Sequence, residues 1–300
     1  EVRIGLVSYR DRGDEYVTRR FDLTEDIDAV FGNLQSFRAG GGGDTPESVN
    51  QALHEAVTRT GWTADPGVLK VVFLVGDCPP HMDYRDDVKY PDTCREAARR
   101  GIVINTVQCG GHAATTPVWQ EIARLSEGAY VALAQDGNMQ AVATPYDEEI
   151  AKVSGGIGRT LIAYGKLERQ AEVREKAAKA EAAPAPVAAD RAAYNLASGG
   201  KAVQGAGDLV ADLEAGTVDL AKVAKDDLPP EMQRMSLAEQ RAYVQARQAE
   251  RDALNLRLRK LSEQRAAFIE AELRRLAGSG DSFDRSVSAM INAQAARVWR

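Results

Sequence analysis

The chain has 300 residues, of which 44% are apolar, and a formal net charge of -6 from 38 basic and 44 acidic side chains. This length supports one sizeable hydrophobic core and a second, less globular part. The acidic balance disfavours nucleic acid as a partner, and no apolar run approaches the roughly 18 residues that a membrane-spanning helix needs.

The chain starts at Glu1, already inside an apolar alternation over residues 2–7. We interpret this start as a truncation, which would also remove any signal peptide. The three cysteines have no zinc-ligand spacing and allow one disulfide at most: Cys78, Cys94 and Cys109. Cysteine usage therefore leaves the compartment open.

Five short β-rich runs alternate with helical segments in residues 1–165, which predicts an α/β domain with a doubly wound, mainly parallel sheet. The runs are residues 3–9, 16–23, 69–76, 102–108 and 129–134. The run 69–76 is almost continuously apolar, so we expect it near the middle of the sheet with helices on both faces. Loops that follow parallel strands meet along one edge, where ligands bind in such folds.

The composition changes after residue 165, where Ala, Glu, Arg and Lys become more frequent and aromatic residues thin out. We predict a linker with short helices over residues 166–235, and a long helix with a C-terminal tail over residues 236–300. Ser236 and Glu239 form a capping box that starts the helix, and Gly278 can end it. The apolar positions of this helix do not keep to one face along its length, which makes the coiled-coil signal weak and leaves packing on the α/β domain equally open. These positions are Val244, Leu254, Leu258, Leu261, Phe268, Leu273 and Leu276.

Two loops carry the candidate chemistry: GGGGDTPE at residues 40–47 enters a helix, and GDCPPH at residues 76–81 follows the apolar strand. The glycines could form a phosphate cradle, but the Lys and Ser/Thr of a P-loop are missing. Asp44, Glu47 and Asp77 should meet at one sheet edge, where clustered carboxylates favour a hard divalent cation. The alternative is that Asp44 is only an N-cap and Asp77 only a turn former.

Other nucleophiles and bases receive less support from the sequence. His81 could be a base or support a ligand, but its place after two prolines favours a turn residue near the rim. Cys78 and Cys109 each follow a strand, and we expect buried thiols or a disulfide and not catalytic nucleophiles. A serine hydrolase is disfavoured because no G-x-S-x-G motif occurs.

The chain contains, in this order, a strand, YRDRGD, a second strand, a helix, GGGGDTPESVNQAL and VVFLVGDCPPH. This order resembles a von Willebrand factor A domain that carries a metal-ion-dependent adhesion site. More narrowly, it is similar to bacterial exported proteins that pair this domain with a helical tail. The resemblance implies a metal site at Asp44, Thr45, Glu47 and Asp77, in which either Thr45 or Glu47 meets the ion. It also implies a first strand bearing Asp-x-Ser-x-Ser, which residues 1–165 lack; the stretch with this spacing, residues 284–288, lies in the C-terminal tail. We therefore expect a domain without its first strand and helix, which binds Mg²⁺, Mn²⁺ or Ca²⁺ weakly.

The resemblance further implies a binding module and not an enzyme. Its Mg²⁺ would bridge to an acidic group on a protein partner, in the periplasm or outside the cell. Two alternatives stay open: a scaffold that acts through the C-terminal helix, and a metal-dependent hydrolase that uses the same carboxylates.

Overall fold

The computed structural model describes residues 1–41, 43–133, 142–276 and 283–299. Five strands lie in the first half of the chain: β1 (Ile4–Tyr9), β2 (Thr18–Thr24), β3 (Lys70–Gly76), β4 (Ile102–Cys109) and β5 (Tyr130–Leu133). Each coincides with one of the five β-rich runs to within two residues, so these strand predictions are confirmed.

Ten α-helices surround and follow the strands in the described parts of the chain. The first five are α1 (Ile27–Ser36), α2 (Val49–Thr58), α3 (Tyr90–Arg99), α4 (Thr115–Leu125) and α5 (Asp147–Arg159). The others are α6 (Leu167–Glu181), α7 (Ala185–Ala197), α8 (Leu209–Glu214), α9 (Leu237–Leu276) and α10 (Phe283–Val298). The region 166–235, predicted as a linker with short helices, therefore begins with two helices of 15 and 13 residues, α6 and α7.

The strands form two separate sheets. β3, β4 and β5 lie side by side in that order and are all parallel, whereas β1 and β2 form an antiparallel pair. An α/β architecture with a parallel sheet is therefore present. The placement of β3 differs from the prediction, because no described strand pairs with its outer edge. Phe73 and Val75 of this edge strand are 38% and 52% exposed.

One face of the parallel sheet carries the core of the α/β region. Leu74, Ile102 and Ile104 project from the strands into a fully apolar cluster with α2, α3 and α4. Trp119 of α4 is the largest side chain buried there. On β4, Asn105 is buried and exchanges two amide hydrogen bonds with Gln294 of α10, at 2.7 and 3.2 Å.

The chain divides into two compact units. One, the α/β unit, contains Val2–Thr24, Ala29–Gln140 and Ala277–Arg300; the other, the helical unit, contains Glu1, Glu25–Asp28 and Ala141–Leu276. This division places α5 with the helical unit, whereas the sequence pattern put a boundary near residue 165.

Within the helical unit, α5, α7 and α9 share an apolar cluster, and α8 packs near the start of α9. The predicted capping box starts α9, since Glu239 accepts from the Ser236 amide at 2.7 Å and Ser236 Oγ accepts from the Glu239 amide at 3.4 Å. The predicted stop at Gly278 lies outside the described residues. None of the described helices has the length and apolar content needed to cross a membrane.

Candidate metal centre

Three loops of the α/β unit meet beside the ends of β1 and β3. The Tyr9 hydroxyl, at the end of β1, donates to the Val75 carbonyl of β3 at 2.9 Å. This contact brings the turn after β1 close to the loop after β3, although the two strands belong to different sheets. Residues 43–47 lead towards α2 and lie beside the loop after β3, where Glu47 and Pro80 form a β-bridge.

The three loops contribute two carboxylates and an imidazole to one group. Asp11 follows β1, Asp44 precedes α2 and His81 follows β3, and one ligand atom from each lies within 4.8 Å of the others. His81 Nε2 is 3.2 Å from Asp11 Oδ2 and 3.6 Å from Asp44 Oδ1. Among the residues that the structure describes, this is the group of acidic and imidazole side chains whose spacing suits a metal ion.

Backbone hydrogen bonds tie the two candidate loops together. The Glu47 amide donates to the Pro79 carbonyl at 2.9 Å, and the His81 amide donates to the Glu47 carbonyl at 3.0 Å. These bonds form a short parallel bridge between Glu47 and Pro80. Asp44 therefore lies beside His81 because the backbone on each side of the bridge is fixed.

The first turn of α2 holds the other two loops in place. Ser48 Oγ donates to Asp11 Oδ1 at 3.0 Å, and the Ser48 amide donates to the Arg10 carbonyl at 3.3 Å. Asn50 Nδ2 donates to the His81 carbonyl at 2.6 Å. Both side chains are buried, so the helix start positions two of the three candidate ligands.

The His81 ring is held with one nitrogen directed at the carboxylates. Its Nδ1 lies 2.8 Å from Asp83 Oδ1, and its ring stacks on Tyr84 with centroids 3.9 Å apart. His81 is only 3% exposed. Its Nε2 has no hydrogen-bond partner within the described parts of the chain, although the Asp11 and Asp44 oxygens are close. A buried polar atom in this position calls for a proton or a cation.

Asp11 is stabilised as a carboxylate. Burial raises its pKa, but the Arg12 backbone amide and the Ser48 hydroxyl lower it, and the net pKa is below the ordinary value. The Tyr84 hydroxyl adds hydrogen bonds of 3.0 and 3.1 Å to the two Asp11 oxygens. Burial and this contact raise the pKa of Tyr84 to about 12, so Tyr84 stays a donor at neutral pH.

Negative charge accumulates around this group. Burial raises the pKa of Glu47, and so do the nearby carboxylates of Asp11, Asp14 and Asp77. Burial lowers the pKa of His81, but Asp83, Asp11 and Asp44 outweigh it and the net pKa is raised. Carboxylate charge at this end of the sheet contributes to both shifts, and burial adds the largest contribution to that of Glu47.

The predicted site residues occupy different places in this arrangement. Asp44 belongs to the three-residue group and has a side chain 62% exposed. Thr45 follows it and is exposed, whereas Glu47 and Asp77 are half-buried and lie close enough for the Asp77 charge to raise the pKa of Glu47. The Asp77 backbone carbonyl accepts from Thr115 Oγ1 at 2.7 Å, which fixes the start of its loop. Metal ligation by Asp44, Thr45, Glu47 and Asp77 stays a prediction.

Two members of the group were absent from the predicted metal site. Asp11 was not among its residues, although it lies two residues after the first β-rich run. His81 had been interpreted as a turn residue near the rim, whereas its ring is buried beside Asp11. The available signal was its position four residues after Asp77, at the carboxyl end of a strand.

The cysteines near this edge are thiols. All three cysteines of the chain are free. Burial and the Asp77 carboxylate raise the pKa values of Cys78 and Cys109 above the ordinary value for a thiol. A raised pKa disfavours the thiolate that nucleophilic or redox chemistry needs. Of the two expected states, buried thiols or a disulfide, the disulfide does not form, and Cys78 and Cys109 are half-buried free thiols.

No protein-family model matches this chain, and no curated protein sequence matches it.

Proposed function

We propose that the α/β unit is a metal-dependent binding domain and not an enzyme. A divalent cation at the acidic end of the sheet would capture an acidic group of a protein partner. The observation that carries this proposal is the approach of Asp11, Asp44 and His81 to within 4.8 Å, with Glu47 and Asp77 close by.

The charges favour a cation in this place. Several carboxylates converge while the imidazole Nε2 finds no hydrogen-bond partner in the described part of the chain. Such an arrangement is costly unless a proton or a cation offsets it. A divalent ion would interact favourably with all of these groups at once.

The geometry leaves room for a partner. Three protein ligands do not complete the coordination shell of a divalent ion, so water or an external carboxylate can fill the remaining positions. The Asp44 side chain is largely exposed, which leaves this side of the group open to solvent. Without the ion, the same carboxylates would repel an acidic partner, so we expect capture to depend on metal.

The resemblance to von Willebrand factor A domains supports the same proposal. In that interpretation Asp77 and either Thr45 or Glu47 would meet the ion, and the β3–β4–β5 sheet would be part of a larger doubly wound sheet. Mg²⁺ is the ion that these oxygen ligands alone would favour.

A peptide-capture experiment tests the function. Surfaces carrying Glu-containing peptides, and matched surfaces carrying Gln in their place, are exposed to the protein with divalent metal and then with chelator. We expect retention on the Glu surface only, lost with chelator and reduced at least about 10-fold by D44N, since even supporting partners of metal ligands contribute that much. D92N removes an exposed carboxylate of α3 outside the group and serves as the control. Equal retention with metal and with chelator would refute the proposal.

A further inference from the structure

The surroundings of the His81 ring indicate which ion this site would bind. Its two nitrogens lie in different surroundings: Nδ1 meets the Asp83 carboxylate at 2.8 Å, and Nε2 faces Asp11 and Asp44. Metal-bound histidines have the same division, in which one nitrogen donates to a carboxylate and the other binds the metal. The contact with Asp83 places the proton of a neutral ring on Nδ1 and leaves the Nε2 lone pair directed at the two carboxylates.

We propose that Asp11, Asp44 and His81 bind a borderline divalent transition ion, of which Zn²⁺ is the representative, through two carboxylate oxygens and His81 Nε2. This inference rests on the proposed function and names the ion of that site. An imidazole ligand suits Zn²⁺, whereas Mg²⁺ prefers oxygen ligands and near-octahedral geometry.

The distances between ligand atoms fit such an ion. Ligand atoms about 2.0–2.2 Å from a tetrahedral Zn²⁺ lie about 3.3–3.6 Å from one another. His81 Nε2 lies 3.2 Å from Asp11 Oδ2 and 3.6 Å from Asp44 Oδ1. The third separation is within 4.8 Å, and rotation of the exposed Asp44 side chain can shorten it.

Two partly buried contacts would hold the ligands in this geometry before the ion arrives. Tyr84 stacks on the His81 ring and hydrogen-bonds to both oxygens of Asp11, so it restrains two ligands at once. Ser48 Oγ donates to Asp11 Oδ1. Asp44 contributes the solvent side of the site, and the fourth position is open to water or to a carboxylate of the partner.

Metal titration of the whole protein tests the identity of the ion. Metal-free protein is titrated separately with ZnCl₂ and MgCl₂ by calorimetry. We expect Zn²⁺ to bind at least about 100-fold more tightly than Mg²⁺, as the order of divalent affinities at nitrogen-containing sites predicts. Co²⁺ in place of Zn²⁺ should give the intense visible absorption of a four-coordinate ion. Equal affinities for Zn²⁺ and Mg²⁺, or no binding of either ion, would overturn the inference.

Variants assign the ligands. H81N keeps a donor near the position of Nδ1 but removes Nε2, so Zn²⁺ affinity should fall at least about 100-fold and the Co²⁺ absorption should change. D83N keeps the ligand and removes its carboxylate support, for which we expect a loss of about 10- to 100-fold. D44N alters an exposed side chain, so it reports ligand loss even if H81N fails to fold. Zn²⁺ affinity that survives D44N and D83N unchanged would contradict the assignment.

The outcome also separates this inference from the proposed function. Tight Zn²⁺ binding without metal-dependent capture of Glu peptides would refute the function and leave the ion site intact. Capture that requires Mg²⁺ and is unchanged in H81N would refute the ion assignment and leave the function intact.

Discussion

Asn50 lies in the first turn of α2 and has no exposed surface. Its Nδ2 donates to the His81 carbonyl at 2.6 Å, and its Oδ1 accepts from the Tyr90 amide at 2.8 Å. One side chain therefore fixes the loop that carries His81 and the start of α3. A buried polar group that loses its partner costs about 1–3 kcal/mol, so these two contacts are important for the loop geometry.

The first prediction concerns this residue. N50A would leave the His81 carbonyl and the Tyr90 amide without their partner, so we expect the free energy of unfolding to fall by about 2–4 kcal/mol. Urea denaturation measures this loss. Q35A, at an exposed position of α1, is the control and should stay within about 0.5 kcal/mol of the wild type. A similarly small effect of N50A would show that other contacts hold the loop.

Of the three residues in the candidate group, the sequence pattern pointed to Asp44 as a ligand and did not point to Asp11 or His81. Asp44 could be placed because a loop directly before a helix is visible in the residue pattern. Asp11 and His81 come together through the contact of the Tyr9 hydroxyl with Val75, which joins two sheets. A contact between residues so far apart in the chain leaves no local pattern in the sequence. The burial of the His81 ring depends on the same approach, so the ring could not be distinguished from that of a turn residue.

At the scale of the elements, the five strands were predictable because short β-rich runs alternate with helical segments, and the run that became β3 is almost continuously apolar. The position of β3 was not, since an apolar run does not reveal which strands pair with it. β3 has β4 on one side and no described strand on the other, because β1 pairs with β2 instead.

Helix α9 shows why an apolar pattern can miss a packing face. Its deeply buried side chains include four spaced seven residues apart: Val244, Arg251, Leu258 and Arg265. Two of the four are arginines, so a pattern restricted to apolar residues drifts along the helix. Each arginine is neutralised by a buried carboxylate, Arg251 by Asp208 and Arg265 by Asp147, both at 2.7 Å.

The second prediction concerns the Arg251–Asp208 pair, whose side chains are 2% and 0% exposed. D208N retains a side chain that can cap α8, where Asp208 accepts from the Val210 amide. It removes the charge that neutralises Arg251, so we expect a loss of about 3–5 kcal/mol in the free energy of unfolding. Chemical denaturation measures it, with D252N at an exposed position of α9 as the control. Equal effects of the two variants would contradict the neutralisation of Arg251 by Asp208.

For the molecule as a whole, the third prediction concerns the response of folding to pH. Burial raises the pKa of Asp147, but hydrogen bonds from Thr144 and Arg265 outweigh burial and lower it below the ordinary value. A folded-state pKa below the unfolded one stabilises the protein above the unfolded value of about 3.9. That contribution is lost as the pH falls through the folded pKa.

Urea denaturation at pH 7 and at pH 3 tests this linkage. The wild type should exceed D147N in stability at pH 7. The difference should shrink at pH 3, because this pH lies below the unfolded pKa of about 3.9 and the unfolded chain then binds a proton more readily than the folded one. Asp190 also pairs with Arg265 but is largely exposed, so D190N is the matched control and should have a smaller effect. A difference between wild type and D147N that grows towards low pH would contradict the direction of the pKa shift.

The proposed function requires a divalent cation at the acidic end of the sheet. The most direct test is X-ray diffraction near an absorption edge of Mn²⁺, which can replace either Mg²⁺ or Zn²⁺ at such a site. We expect an anomalous peak about 2.0–2.3 Å from the carboxylate oxygens of Asp11 and Asp44 and from His81 Nε2. A peak at Asp44, Glu47 and Asp77 would keep the cation at this edge but reassign its ligands. Well-ordered crystals soaked in Mn²⁺ that show no peak at this edge would contradict the account.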